Sequence, residues 1–393
     1  MGAVFSHLDD IWSLVQSTEV CRLWWLEGHH RVWRKIQLRD LTGYVKDLSR
    51  RQYFASFVEE LAFEPDDTIL ADARMSIPLL DFKRLSSVKL YGSNLDGART
   101  GNIMSLIVPS LRSWTIKESD VSRKANHDQD DITAMSALLT GAATLRSMRI
   151  DMDCSHTLGP VVYQMLDVLT AVEHLHMGLL CEILLETNPP EDFLRKMLGH
   201  KPNLATVSFP YGTDFYEAEI DSFLAQMGPD WSMSSLGSFS SPTFRSCPAG
   251  LKVISRMPNL EQLFLTVRDV QGTWGDGLKH IFTFLPSLRQ LQTLDLEFSG
   301  ENCDFDGSLL VELGKLQDLD TLRLEIFMPG VISITAAQLA CFLTSLSKLK
   351  YLLLKLHKVV IPCTADERMI IHNALAEIPE VDLGGIIFTR PSL

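Results

Sequence analysis

His174 and His176 stand two residues apart in an alternating segment, so on a strand both imidazoles would share one face and could approach one metal ion. Zinc needs three or four ligands and no third stands beside them, so they read as surface histidines. His127 with Asp128, Asp130 and Asp131 has the composition of a cation site, but the Gly and Glu of a calcium loop are missing. A solvated acidic loop is the expectation there. Cys21 is expected to be a small buried apolar residue rather than a nucleophile. The seven cysteines (Cys21, Cys154, Cys181, Cys247, Cys303, Cys341, Cys363) are widely spaced and form no C-x-x-C, which signals neither a disulfide framework nor zinc. Nor does the chain contain G-x-S-x-G, H-E-x-x-H, a phosphate-binding glycine loop or a dinucleotide fingerprint. The expectation is no catalytic residue, no metal, no cofactor and no enzyme activity.

What remains is recognition by a surface, and the repeats show which surface. Leu291, Leu294 and Leu296 form L-x-x-L-x-L, with Thr293, Asp295 and Glu297 pointing the other way on a strand. The pattern returns at Leu260-Leu263-Leu265, Leu319-Leu322-Leu324 and Leu349-Leu352-Leu354, with starts 31, 28 and 30 residues apart. That is the period of a leucine-rich repeat, in which each strand and return helix bury their apolar side against the next copy. The first apolar positions are Val58, Leu85, Leu111, Leu145, Val172, Leu204, Met233, Leu260, Leu291, Leu319, Leu349 and Ile378. The expected fold class is α/β: an irregular leucine-rich-repeat solenoid of about twelve repeats over 41–393, strands on a concave face and helices on a convex one. Side chains facing away from the core stack in rows about 4.8 Å apart. The candidate partner-binding set is Lys89, Tyr91, Arg149, His174, His176, Phe264, Asp295, Glu297, Arg323, Glu325 and Tyr351, together with Asp151, Gln262 and Lys355. Rows mixing charges with aromatics are what protein interfaces use; the bland alternative is an ordinary solvated strand face.

Helix signals fall between these strands. Thr335-Ala336-Ala337-Gln338 and Thr364-Ala365-Asp366-Glu367 are capping boxes, each followed by an apolar face. Asn188 before Pro189 and Pro190 predicts another helix start. Pro109, Pro202 and Pro258, each two residues before a repeat leucine, end the preceding helix. Two places break the rhythm. Residues 117–131 are polar and read as a loop insertion. Residues 228–250, rich in serine and holding Pro229, Pro242 and Pro248, read as a loose insertion or degenerate, mobile repeat around Met233. No asparagine follows the strand leucines, so an irregular curvature is expected.

Residues 1–40 carry no repeat. Phe5-Ser6-His7-Leu8-Asp9, Val20-Cys21-Arg22, Trp24 and Trp33-Arg34 sit among apolar residues at helical spacing, predicting two or three small helices. This stretch resembles the F-box. The family usually opens with a Leu-Pro-x-Glu-Ile-Leu segment, and this sequence as written starts after it; the Asp9–Cys21 link also lacks the family's proline. The resemblance implies docking to a Skp1-like adaptor of a cullin ubiquitin ligase through Phe5, Leu8, Ile11, Leu14, Val20 and Trp24. It further implies that the repeats present an unknown target protein. The alternative is a scaffold outside any ligase, in which the same helices only cap the array.

Composition agrees with a protein partner. A net charge of -13 argues against a nucleic-acid surface, which needs clustered Lys and Arg. No apolar run is long enough to span a bilayer and no basic start precedes an apolar segment, so no membrane partner is expected. Met1-Gly2-Ala3-Val4-Phe5-Ser6 fits an acylation pattern, but no polybasic segment supplies the second anchor, and an apolar helix end explains it as well. The expected setting is the cytoplasm or nucleus, as a monomer within a complex.

Overall fold

The computed structural model describes residues 28, 30–38, 40–41, 45–63, 80–91, 108–117, 143–151, 158–178, 192–210, 213–245, 247–269, 277–300, 305–327, 331–356 and 359–389. The chain divides into two compact units, Met1–Leu184 and Leu185–Leu393.

Unit 1 carries strands β1 (Lys35–Gln37), β2 (Glu60–Phe63), β3 (Ser87–Tyr91), β4 (Ser113–Lys117), β5 (Ser147–Asp151) and β6 (His174–Met177), with helices α1 (Leu48–Ala55) and α2 (Leu158–Val168). Each strand pairs in parallel with the next, in register from Lys35↔Glu60 through Ser147↔His174. Ile36, Leu61, Val88, Trp114, Met148 and Leu175 occupy one register position and are all buried. A parallel pair cannot be closed by a tight turn, so each link must cross over. The expectation of small helices through residues 1–40 is corrected at its end: Lys35–Gln37 is a strand of the parallel sheet. Its physical reason is the alternation of buried Ile36 and Leu38 with outward Lys35 and Gln37, a period of two.

Unit 2 carries β7 (Thr206–Ser208), β8 (Asp214–Phe215), β9 (Ser238–Phe244), β10 (Gln262–Asp269), β11 (Thr293–Gly300), β12 (Phe305–Asp306), β13 (Thr321–Phe327), β14 (Ile332–Ser333), β15 (Tyr351–Leu356), β16 (Val359–Pro362), β17 (Glu380–Asp382) and β18 (Ile386–Thr389). Its helices are α3 (Phe193–Leu198), α4 (Glu217–Met227), α5 (Cys247–Ile254), α6 (Gly277–Phe284), α7 (Ser308–Leu313), α8 (Ala336–Ser345) and α9 (Ala365–Ala376). The sheet order is β7-β9-β10-β11-β13-β15-β17, all parallel, while β12 with β14 and β16 with β18 form small parallel pairs beside it. Consecutive helices pack on one another from α4 to α9. This is an α/β fold with a repeat-like parallel sheet, consistent with a leucine-rich-repeat type of arrangement.

The repeat has a backbone signature. The N–H of the first apolar residue donates to the carbonyl three residues earlier, as in Leu260 to Met257, Leu319 to Leu316, Leu349 to Leu346 and Ile378 to Leu375. The next two N–H groups then converge on one carbonyl of the preceding repeat. Gln292 and Thr293 donate to the Glu261 oxygen, Asp320 and Thr321 to the Gln292 oxygen, and Lys350 and Tyr351 to the Asp320 oxygen. In unit 1, Ser86 and Ser87 do the same to Glu59, and Glu59 and Glu60 do so to Arg34. The strand therefore begins two residues after the repeat position, and every repeat position named from the sequence is buried.

Met233 is the exception. Leu236 donates to Met233, Gly237 and Ser238 donate to the Ala205 carbonyl, and β9 starts at Ser238, so Leu236 is the repeat position and Met233 is the turn before it. Residues 228–250, expected as a loose insertion, contain a seven-residue strand inside the sheet. Serine disguises it: Ser238 and Ser240 are outward positions around buried Phe239. Lys117 ends β4, and the rest of the 117–131 insertion lies outside the described residues, as does the expected cap at Asn188.

Both capping boxes form as the sequence predicts. The Gln338 N–H donates to Thr335 Oγ1 at 3.2 Å and the Thr335 N–H to Gln338 Oε1 at 2.9 Å. The Glu367 N–H donates to Thr364 Oγ1 at 3.2 Å and the Thr364 N–H to Glu367 Oε2 at 2.9 Å. Bonds from the Thr364 backbone, and then its hydroxyl, hold the Glu367 carboxyl below its ordinary range. Among the described residues no helix is long and apolar enough to cross a membrane.

Candidate functional sheet faces

Alternation along parallel strands turns every second residue of unit 2 away from the helices, and the register aligns them into rows. One row runs Phe264, Asp295, Arg323, Leu353 and Asp382; the next runs Thr266, Glu297, Glu325 and Lys355. Gln262, Thr293, Thr321, Tyr351 and Glu380 form a third. The candidates Phe264, Asp295, Glu297, Arg323, Glu325 and Tyr351 are thus brought onto one face. Leu353, Lys355 and Phe327 belong with them; the same alternation marks all three, and Phe327 is 54% exposed.

The centre of this face is a charge network. Arg323 Nε donates to Glu325 Oε1 at 2.9 Å and Arg323 Nη1 to Asp295 Oδ2 at 3.3 Å, while Lys355 Nζ donates to Glu325 Oε1 at 3.1 Å. Glu325 is only 4% exposed. Burial pushes its carboxyl up, but the bonds and charges of Lys355 and Arg323 outweigh that and leave it below its ordinary range. The bond to Glu325 is the main reason the Arg323 guanidinium is held above its usual value. Asp295 is raised, first by burial and then by Glu325 and Glu297, against the pull of Arg323. Glu297 lies directly across from Glu325 in the register. Like charges facing across strands repel, and here Arg323 and Lys355 neutralise Glu325, leaving Glu297 with no ion pair of its own among the described residues.

Unit 1 presents a separate face. Arg149 Nε donates to Asp151 Oδ2 at 2.6 Å, and His176 Nε2 lies 2.7 Å from Asp151 Oδ1. Gly178 makes room for this arrangement, since a Cβ there would lie 2.2 Å from Asp151 Oδ1. Lys89 Nζ donates to Glu60 Oε1 at 2.8 Å. His174 is an exposed residue of the neighbouring row and Tyr91 ends β3. Asp151, not His174, is the partner His176 meets. Among the described residues no three His, Cys, Asp or Glu side chains are grouped to hold a metal. Phe5, Leu8, Ile11, Leu14, Val20 and Trp24, expected to meet an adaptor, lie outside the described residues.

A groove of about 740 Å³ runs along the strand starts of unit 2, lined in part by Gln292, Asp318, Asp320, Lys348, Lys350 and Glu377. Lys348 Nζ is 2.5 Å from Asp318 Oδ1 and Lys350 Nζ is 3.4 Å from Asp320 Oδ2, so its charges are largely matched internally.

No protein-family profile matches the chain. No curated protein is similar to it. Among solved structures, a Bacteroides fragilis protein determined by the Northeast Structural Genomics Consortium is similar over 84% of this chain and 76% of its own. The identity is 13% and the TM-score 0.32, a likeness that carries no functional argument.

Proposed function

We propose that the chain is a protein-recognition module of the leucine-rich-repeat type, binding a target through the outward sheet face of unit 2. The observation that carries this reading is the Glu297 carboxylate, in register with Glu325 and without an ion pair of its own among the described residues, beside Phe264, Tyr351 and exposed Phe327. A folded protein that leaves a carboxylate without a counter-charge on an otherwise well-paired sheet face departs from its folding optimum, and such departures concentrate at functional sites. A basic side chain from a target, seated at Glu297, would relieve it. The resemblance of the first forty residues to the F-box extends this reading to an intracellular substrate receptor, in which a Skp1-like adaptor joins the chain to a cullin ligase and other subunits transfer ubiquitin.

A second reading is favoured by β1. Lys35–Gln37 is the first strand of the sheet among the described residues, the end at which a solenoid needs a cap, and a scaffold outside any ligase would require nothing more. A pull-down against purified Skp1-like adaptor separates the two. The receptor reading expects retention of the full chain and at least tenfold weaker binding, about 1.4 kcal/mol, by Trp24→Ala. No retention of a chain whose circular dichroism is intact would leave the scaffold.

A further inference from the structure

Helix α1 in unit 1 buries little of itself. Of its eight residues only Ala55 is buried, whereas α3 buries five of six. Tyr53 is 44% exposed, on the side of α1 opposite buried Ala55. It belongs to an aromatic cluster. The Trp33 ring stacks on Phe54 at 4.2 Å, Tyr53 meets Phe54 and Phe57 edge-on at 5.4 and 5.0 Å, and His30 meets Phe57 at 4.3 Å. Arg84 lies over the Phe57 ring at 6.0 Å.

The charge around this cluster is opposite to that of the chain. Among the described residues of 28–60 and 80–84 there are eight Lys or Arg and five Asp or Glu, in a protein whose net charge is -13. Three of those carboxylates are engaged: Glu59 by Arg34 at 2.6 Å, Glu60 by Lys89 at 2.8 Å and Asp81 by Lys83 at 3.8 Å. Lys46, Arg50 and Arg84 are exposed, and no carboxylate pairs with them among the described residues. Exposed Tyr and Arg beside a half-buried Trp is the composition of interface hot spots.

We propose that the outer side of α1, with Trp33 and Arg84, is a second docking surface, for an acidic protein segment carrying an aromatic or aliphatic anchor. The anchor packs against Tyr53, and the carboxylates meet Arg50, Arg84 and Lys46. A nucleic acid fits less well. Single strands need open ring faces on which bases stack, and here Trp33 and Phe54 cover each other while Tyr53 turns its ring against Phe57. This surface lies outside the unit 2 face and stands whether or not that reading holds.

Fluorescence anisotropy on the full chain tests it, with a fluorescein-labelled peptide Glu-Glu-Asp-Phe-Leu-Glu-Glu as the probe. A peptide of glutamates alone and an oligouridylate of matching charge serve as comparators. The expected result is saturable binding that weakens with salt, falls about tenfold or more in an Arg50→Glu, Arg84→Glu double variant and falls about threefold in Tyr53→Ala. Thermal melts of both variants should match the wild type. The proposal is overturned by binding that the double variant leaves unchanged, by oligouridylate binding as tightly as the peptide, or by no saturable binding up to about 1 mM. Dimerisation that Arg50→Glu abolishes would assign the surface to a second copy and also overturn it.

Discussion

At the scale of single residues, burial and charge give opposite answers for neighbours one position apart. Leu294 and Leu322 are fully buried, and replacing either with alanine is expected to cost roughly 2–5 kcal/mol. Thr293→Ala and Thr321→Ala, on the outward side, should cost about 0.5 kcal/mol or less. Urea melts giving equal losses for the two pairs would show that the strands face the other way. The carboxyls of the central network differ in sign as well. Glu325 is held low, so its contribution to stability is present above the unfolded carboxylate range, near pH ~4.3, and is lost as pH falls through its folded value. Asp295 is held high, so folding favours its protonated form and its ionisation costs stability as pH rises through its folded value. At neutral pH Glu325→Gln should therefore destabilise by about 1–3 kcal/mol, the range for bonds to charged groups. Asp295→Asn should be neutral within about 0.5 kcal/mol or stabilising, because the pair it breaks is partly exposed. A loss from Asp295→Asn as large as that from Glu325→Gln, in melts between pH 3 and pH 8, contradicts this assignment. Outward residues such as Arg323 and Glu325 were legible from alternation alone. Which of them are buried was not, because Glu325 is held beneath the long side chains of Arg323 on its own strand and Lys355 on the next.

At the scale of elements, local chemistry explains what the sequence shows and what it hides. Both capping boxes were legible because their residues stand at fixed spacing, and Thr335→Ala and Thr364→Ala should each lower stability by about 1 kcal/mol. A smaller loss on adding Thr335→Ala to a variant already carrying Gln338→Ala would confirm that the two side chains act together. β9 was hidden because serines occupy its outward positions and proline lies within it, so composition suggested a loop. Apolar Met233 stood close enough to the period to be taken for Leu236, and only the turn hydrogen bond distinguishes them. β1 was hidden because Trp33 and Arg34 fit an F-box pattern as well as they fit a strand approach. Gly178 follows β6 and lies against Asp151, and Gly178→Ala should break the contact of Asp151 with His176. A shift of the His176 ring proton signals in the nuclear magnetic resonance spectrum, with the melt otherwise preserved, is the expected readout.

At the scale of the molecule, each unit is a set of parallel strands joined by crossovers and stitched at the strand starts by shared carbonyls. Sequence periodicity found this architecture because one leucine position per repeat is under the same packing demand every time. It could not find a target, since the proposed recognition face is assembled from rows across four or five strands whose outward residues obey no common pattern. The central claim is that the outward sheet face of unit 2, rather than its helical side, binds a protein. The most direct test captures partners from the native source on immobilised chain and quantifies them by mass spectrometry. Three baits are compared: wild type, a face variant carrying Glu297→Lys, Phe264→Ala and Tyr351→Ala, and a helix-side variant carrying Lys279→Glu and Lys315→Glu. The account predicts a partner held by the wild type and the helix-side variant and lost from the face variant, with all three baits folded. A partner kept by the face variant and lost from the helix-side variant would contradict it.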